Sequence, residues 1–454
     1  MKKLGIGFIS FFILMVSSSF VLASADAIIK PYQKQGISIT VHAVDLQTGK
    51  SLMSVASQKP MNPASTMKVL TSVAALKHLG GSYQYQTELG TDRYSRGVIG
   101  HLYVKGAGDP SMVEERLWRI AKDLAVRGVK KIEGDIIIDE SYFDGKDFKG
   151  RDEDSSRAYN AEISAFAVNF NSFAVVAKNY GGELAVHIDP PTDYFEFKSL
   201  VKASGNSLSV ERDFKNGKEH VVARGGVSNE KIKYANADNP LQYSGTTLAW
   251  VIRQQGIEFN GKIKRGTYAA KKRLVKDKSK PLSLILRDLN KFSNNFTAEM
   301  IVKTIGAFHG GVPGSTEKGA VALRRLVESY GVAQGEYAVF NGSGLSRRNR
   351  LSAHTLTTLL DKAYDDNSIR SDFMASLAIA GTDGTLGNRF KNPVLKGNVK
   401  AKTGTLHDVS TLAGYIKSKS GKMIAFAILV NGPGAGGGGY YQMQEKIMLE
   451  LYRQ

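Results

Sequence analysis

Three short patterns in the chain carry groups that could do covalent chemistry. Ser65-Thr66-Met67-Lys68 sets a hydroxyl and an amine three residues apart, on one face if the segment is helical. A serine hydroxyl is a weak nucleophile until a neighbouring base takes its proton. A lysine can be that base once desolvation or a nearby cation lowers its pKa enough to leave neutral amine. Ser293-Asn294-Asn295 offers a second hydroxyl able to relay a proton, and in Asn295 an amide that can donate to and accept from a peptide. Lys402-Thr403-Gly404-Thr405 offers a fixed positive charge, two hydroxyls able to grip a carboxylate, and a glycine that lets substrate approach the backbone. Taken singly, these are a chance match, a helix N-cap and a strand entry. Their occurrence in this order, each at the edge of an element, points to one cleft.

The elements that must position them are readable. Asn62 suits an N-cap and Pro63 a first helical residue, and the nearly all-apolar run through Val69, Leu70, Val73 and Leu76 predicts a buried helix stopped by Gly80-Gly81. Before it, residues 37–44 and 51–56 flank a turn and predict a hairpin. From about residue 86 to 267 come many short β-like runs punctuated by Gly, Asp and Asn, which read as one or two mostly β accessory domains. Helical periodicity returns at 282–289, 295–308, 317–330 and 355–365. A strand pair is expected at 410–416 and 423–430, and then a helix from 440 whose Met443, Ile447, Met448 and Leu451 share one face and pack on the sheet. The expected organisation is a discontinuous α/β domain, 26–87 plus 268–454, carrying an inserted mostly β region at 88–267.

Met1-Lys2-Lys3, an apolar or small stretch over 4–22 and Ala23-Ser24-Ala25 read as a secretory signal over 1–25, so the protein is expected to be exported. An uncleaved membrane anchor is the alternative. The formal net charge is +19, two of it from Lys2 and Lys3. For an exported protein that charge points to anionic envelope polymers or lipid head groups rather than nucleic acid. Clusters such as Lys271-Lys272-Arg273 read as solvated surface. With no cysteine, disulfides, thiolate catalysis and Cys-based zinc sites are excluded. The eight histidines include no closely spaced pair, and no metal or cofactor is expected. The glycine-rich run 432–439 contains G-x-G-x-x-G but lacks the rest of a dinucleotide-binding unit, and reads as a turn near the cleft.

The three motifs together, in their S-x-x-K, S-x-N and K-T-G forms, resemble those of the D-alanyl-D-alanine carboxypeptidase/endopeptidase family, the low-molecular-mass class C penicillin-binding proteins. The long gap between Lys68 and Ser293 is similar to that family's, as are Gly106-Ala107-Gly108-Asp109-Pro110, Asn341-Gly342-Ser343-Gly344-Leu345-Ser346, Gly381-Thr382-Asp383-Gly384-Thr385-Leu386 and Gly414-Tyr415-Ile416. The resemblance implies a serine β-lactamase/transpeptidase-like α/β (α+β) domain, an antiparallel sheet with helices, interrupted by a large mostly β insertion. It implies that Ser65 is acylated by the carbonyl between two D-alanines while Lys68 takes its proton. Ser293 and Lys402 would pass that proton on, Asn295 would bind substrate amides, and Thr403 and Thr405, with Gly404 between them, would bind the terminal carboxylate or orient the acyl group. The N–H groups of Ser65 and Thr405 would form an oxyanion hole. Peptidoglycan stem peptides would be the substrate and β-lactams the inhibitors. The runs 341–346 and 381–386 read as scaffold, although Ser343 and Asp383 carry reactive chemistry, and Asp152-Glu153-Asp154 reads as a solvated acidic loop. Rival readings are a β-lactamase, which needs fast deacylation, and a non-catalytic envelope-binding protein. No G-x-S-x-G elbow or H-E-x-x-H motif supports other hydrolases.

Overall fold

The computed structural model describes residues 25–146 and 155–454. Nearly all of the signal-like segment and the whole of Asp152-Glu153-Asp154 lie outside the described residues. Two of the hydrophobic cores share one six-stranded antiparallel sheet, ordered Ser51–Val55, Ser38–Asp45, Met423–Asn431, Val409–Lys417, Val399–Leu406, Ala378–Ile379. Its central strands read as unbroken apolar runs because both faces are covered. Ala425, Ala427 and Leu429 face a core built with the helices Met67–Leu79, Leu282–Phe292, Asn295–Gly310, Thr316–Ser329 and Ala353–Asp365. Ile424, Phe426, Ile428 and Val430, one pleat out of step, face the helix Tyr441–Tyr452, whose Met443, Ile447, Met448 and Leu451 are buried as its sequence pattern requires.

The expected hairpin and the expected closing strand pair are present, each within a residue or two of its expected limits. The middle of the chain differs from its sequence reading in holding two long helices, Glu114–Val126 and Pro240–Gln254, which pack on each other. Leu117, Ile120, Ala121 and Leu124 recur at helical spacing and are buried in a core with Leu248, Val251 and Ile252. Flanking glycines and short β-like runs masked that spacing. The strands of this region form small sheets around that core and around a second one centred on Phe173, Val175, Val221 and Tyr243. The basic run near residue 272 lies on the edge strand Lys272–Lys278, where Lys272, Arg273, Lys276 and Lys278 are exposed. Charge on an open edge blocks strand addition by other chains.

Candidate active site

Ser65 sits in a tight turn ahead of the helix. The sequence predicts helix from Pro63, but Ala64–Thr66 is a 3-10 turn and the α-helix starts at Met67. Asn62 caps this turn, its Oδ1 accepting from Ala64 N at 2.9 Å. The Pro63 carbonyl accepts from Thr66 N (3.1 Å), Thr66 Oγ1 (2.6 Å) and Thr411 Oγ1 (2.9 Å), which ties the turn to the sheet. Asn62 and Asn431 exchange a further pair of bonds: Asn62 N donates to Asn431 Oδ1 at 2.7 Å, and Asn431 Nδ2 donates to the Asn62 carbonyl at 3.1 Å. Ala64 takes φ +44°, a left-handed conformation costing on the order of 1 kcal/mol in a residue with a Cβ. The outcome is a half-buried Ser65 one turn above a fully buried Lys68.

Lys68 Nζ lies 3.0 Å from Ser65 Oγ, 2.8 Å from Asn295 Oδ1 and 2.6 Å from the Ser343 carbonyl oxygen. Burial lowers its pKa to about 7, against the opposing pull of the Glu299 carboxylate. Near neutral pH a large share of Lys68 is therefore free amine. Two of its hydrogens can then be donated to Asn295 and Ser343, leaving the lone pair for the Ser65 hydroxyl.

The N-cap expected of the Ser293-Asn294-Asn295 run is present and falls on Asn294. Ser293 ends the helix Leu282–Phe292 in a left-handed conformation, φ +59°, and Asn294 caps the next helix by accepting from Thr297 N at 2.9 Å. This bend directs Ser293 Oγ to Lys402 Nζ, 2.8 Å away. Lys402 also donates to the Thr403 carbonyl at 2.7 Å and is fully buried. Burial, reinforced by neighbouring Lys68, holds its pKa well below the ordinary lysine range. A fixed charge is thus not what this environment favours. The ammonium is disfavoured until an anion arrives to pair with it.

Thr403 Oγ1 donates to Thr385 Oγ1 at 2.8 Å, and Thr405 is exposed two residues along the same strand. The neighbouring strand pairs only as far as Ala401, so the strand edge from Lys402 to Thr405 has no strand partner on that side among the described residues. Gly404 backs directly onto the turn that carries Ser65. A Cβ there would lie 2.2 Å from Thr411 Oγ1 and 2.9 Å from both Pro63 O and Ser65 N. Gly404→Ala should therefore push strand and turn apart and slow Ser65 acylation about 100-fold. Stopped-flow penicillin acylation checks this, and a rate near that of the parent protein would mean that the strand can yield.

All three motifs are brought together, and so are groups that sequence reading set aside. The Ser343 carbonyl touches Lys68, and Gly344 (φ +84°) has no room for a side chain, since a Cβ would lie 1.8 Å from Ala64 O. Asp383 pairs with Lys291 and accepts from Ile379 N at 2.9 Å, and Thr385 meets Thr403. These runs are scaffold that reaches the site itself. Beyond Ser293 and Asn295 a cleft of about 550 Å³ extends toward the middle region, past Tyr159, Phe292 and Tyr234 to Glu114.

A hydroxyl, a desolvated amine of lowered pKa and a second hydroxyl–amine pair, opening on an unpaired strand edge, have the chemistry of an active-site serine hydrolase. Residues 22–448 match the D-Ala-D-Ala carboxypeptidase 3 (S13) family, and the chain belongs to it. It is a serine D-Ala-D-Ala carboxypeptidase. It is 31% identical over 433 residues to the D-alanyl-D-alanine carboxypeptidase of Actinomadura sp. (strain R39), covering 90% of this chain and 80% of that protein. The crystal structure of penicillin binding protein 4 (dacB) from Haemophilus influenzae superposes with a TM-score of 0.81 at 26% identity, over 95% of this chain and 100% of the other. The same Haemophilus protein complexed with a novel β-lactam gives a TM-score of 0.77 at 25% identity, with the same coverage.

Proposed function

We propose that Ser65 is the nucleophile that the penultimate D-alanine acylates, with Lys68 as its base. The observation that carries this reading is the 3.0 Å approach of a fully buried Lys68 Nζ to a solvent-reaching Ser65 Oγ. In acylation Lys68 takes the hydroxyl proton as Ser65 Oγ bonds to the carbonyl carbon. The proton then passes by way of Ser293 and Lys402 to the leaving D-alanine nitrogen as the C–N bond breaks. Lys402, Thr403 and Thr405 receive the terminal carboxylate, which stabilises the Lys402 ammonium that burial alone disfavours. Asn295 orients the peptide amides, and the N–H groups of Ser65 and Thr405 hold the oxyanion. Water then attacks the ester and frees Ser65. A β-lactam acylates the same oxygen.

The substrate is the stem peptide of peptidoglycan, and the protein works outside the cytoplasm, a reading that the signal-like start and the cell-wall chemistry support. The cleft beyond Asn295 has room for more than a terminal dipeptide, which supports cleavage of D-alanyl cross-links in addition to trimming. Largely separate hydrophobic cores support an insertion near 88–267 in the catalytic domain formed by 26–87 and 268–454, with the strand Lys272–Lys278 packing into the inserted region's core through Leu274 and Val275. The exposed lysines of the edge strand support peripheral contact with anionic envelope surfaces.

Intact-mass measurement with benzylpenicillin tests the chemistry. One adduct on the parent protein, mapping to the Ser65 peptide and missing in Ser65→Ala, is the expected result. Unmodified protein with intact drug would refute the acyl-enzyme reading.

A further inference from the structure

Glu299 lies one helical turn beyond Asn295 on the helix Asn295–Gly310, at 0% exposure. Its carboxylate accepts from Ser343 N at 2.8 Å and from Gly342 N at 3.3 Å. Those two residues belong to the loop whose next group, the Ser343 carbonyl, accepts from Lys68 Nζ at 2.6 Å. From the other side the loop is held by Asn349, whose Nδ2 donates to Asn341 Oδ1 at 2.6 Å, while Gly344 abuts the turn that carries Ser65. One helix thus reaches Lys68 twice, directly through Asn295 and through the loop that Glu299 clamps.

The charged groups facing Lys68 are few. The helix Asn295–Gly310 supplies Glu299 and the strand Val399–Leu406 supplies Lys402. Among the described residues, the loop and the 3-10 turn supply the Ser343 carbonyl and the Ser65 hydroxyl. A buried carboxylate with no role would be expensive to keep, since desolvation raises its pKa and only the loop's donors and Lys68 offset that cost. The geometry points to Glu299 as a positioning residue for the acylation base, clamping the loop so that its Ser343 carbonyl rests on Lys68 and setting a buried carboxylate close to that amine. The inference rests on Lys68 acting as base for Ser65.

The sign follows from the charges. Lys68 must be neutral to accept a proton, so acylation rises with pH through its pKa. The Glu299 carboxylate favours the ammonium and keeps that pKa up. Glu299→Gln removes the charge while retaining one acceptor oxygen, so the acid limb should move to lower pH by about one unit. Its plateau should also fall about tenfold, because the amide NH₂ opposes a loop N–H and loosens the carbonyl. Glu299→Asp keeps the charge but draws it back by one methylene, so the limb should stay in place while the plateau falls about tenfold.

The experiment is the second-order rate of acylation by a fluorescent penicillin from pH 5 to 9 for the parent protein, both Glu299 variants and Lys68→Met, with thermal midpoints alongside. An acid limb displaced in the Gln variant and retained in the Asp variant supports the proposal. A Gln variant that loses rate and thermal midpoint yet keeps the parental limb overturns it, leaving Glu299 only structural. If the Gln variant does not fold, the Asp variant decides, and parental rates at every pH overturn the proposal. Rapid acylation of Lys68→Met overturns the reading of Lys68 itself, a failure separate from any Glu299 result.

Discussion

Replacing Lys68 by methionine is expected to slow acylation of Ser65 by about 10³- to 10⁴-fold, the scale of a lost general base. Methionine fills nearly the same buried volume, so packing around the nucleophile turn is retained. Removing the amine strips three polar atoms of a partner: Ser65 Oγ, Asn295 Oδ1 and the Ser343 carbonyl. It also removes a charge that burial disfavours, and the two effects oppose each other in stability. The pH profile separates base from scaffold. In the parent protein the acylation rate should be half-maximal near pH 7, where Lys68 loses its proton, and should climb to a plateau above. In Lys68→Met the residual rate should lack that inflection. Penicillin acylation within tenfold of the parent, with the inflection intact, would show that another group takes the Ser65 proton.

The largest expected loss of stability falls far from the chemistry. Asp277, on the edge strand Lys272–Lys278, pairs with both Arg116 and Arg119 of the helix Glu114–Val126, and Arg116 reaches Asp109 at 2.6 Å as well. Asp277 and Asp109 are almost completely buried. Asp277→Ala leaves the largely buried Arg116 guanidinium with Asp109 as its one carboxylate partner, and should cost about 3–5 kcal/mol. Arg119→Ala removes only the exposed member of the cluster and should cost far less. Urea unfolding of the two variants checks the ranking, and equal losses would mean that the pairing to Arg116 contributes little.

What could be read from the sequence, and what could not, divides along the range of the interactions. Ser65, Lys68, Ser293, Asn295 and the Lys402–Thr405 run are legible because each sits beside local punctuation, a proline, a glycine or an asparagine cap. The sheet strands and the helix Tyr441–Tyr452 are legible because period and burial agree. Glu299 is not. It lies in an apolar helical run, and the donors that explain it, Gly342 N and Ser343 N, come from a loop distant in sequence. A carboxylate one turn after Asn295, in an otherwise buried stretch, was the available signal. The Ser343 carbonyl leaves no trace in residue type at all, since every residue has one. The left-handed turn at Ser293 is likewise hidden, because glycine or asparagine ordinarily takes that role.

The pairing of Ser38–Asp45 with Met423–Asn431 has a consequence for how the enzyme comes into being. The strand Ser38–Asp45 waits for a second partner made much later in the sequence, and the asparagine that clasps the turn carrying Ser65, Asn431, is the last residue of that late strand. A ribosome would have to release the chain through Asn431 before the turn that carries Ser65 could be clasped. Such long-range closure is entropically slow to achieve. Any nascent or truncated product lacking that strand carries Ser65 and Lys68 without the clasp that orients them. In this sense the site is ordered only once that late strand has been made and paired.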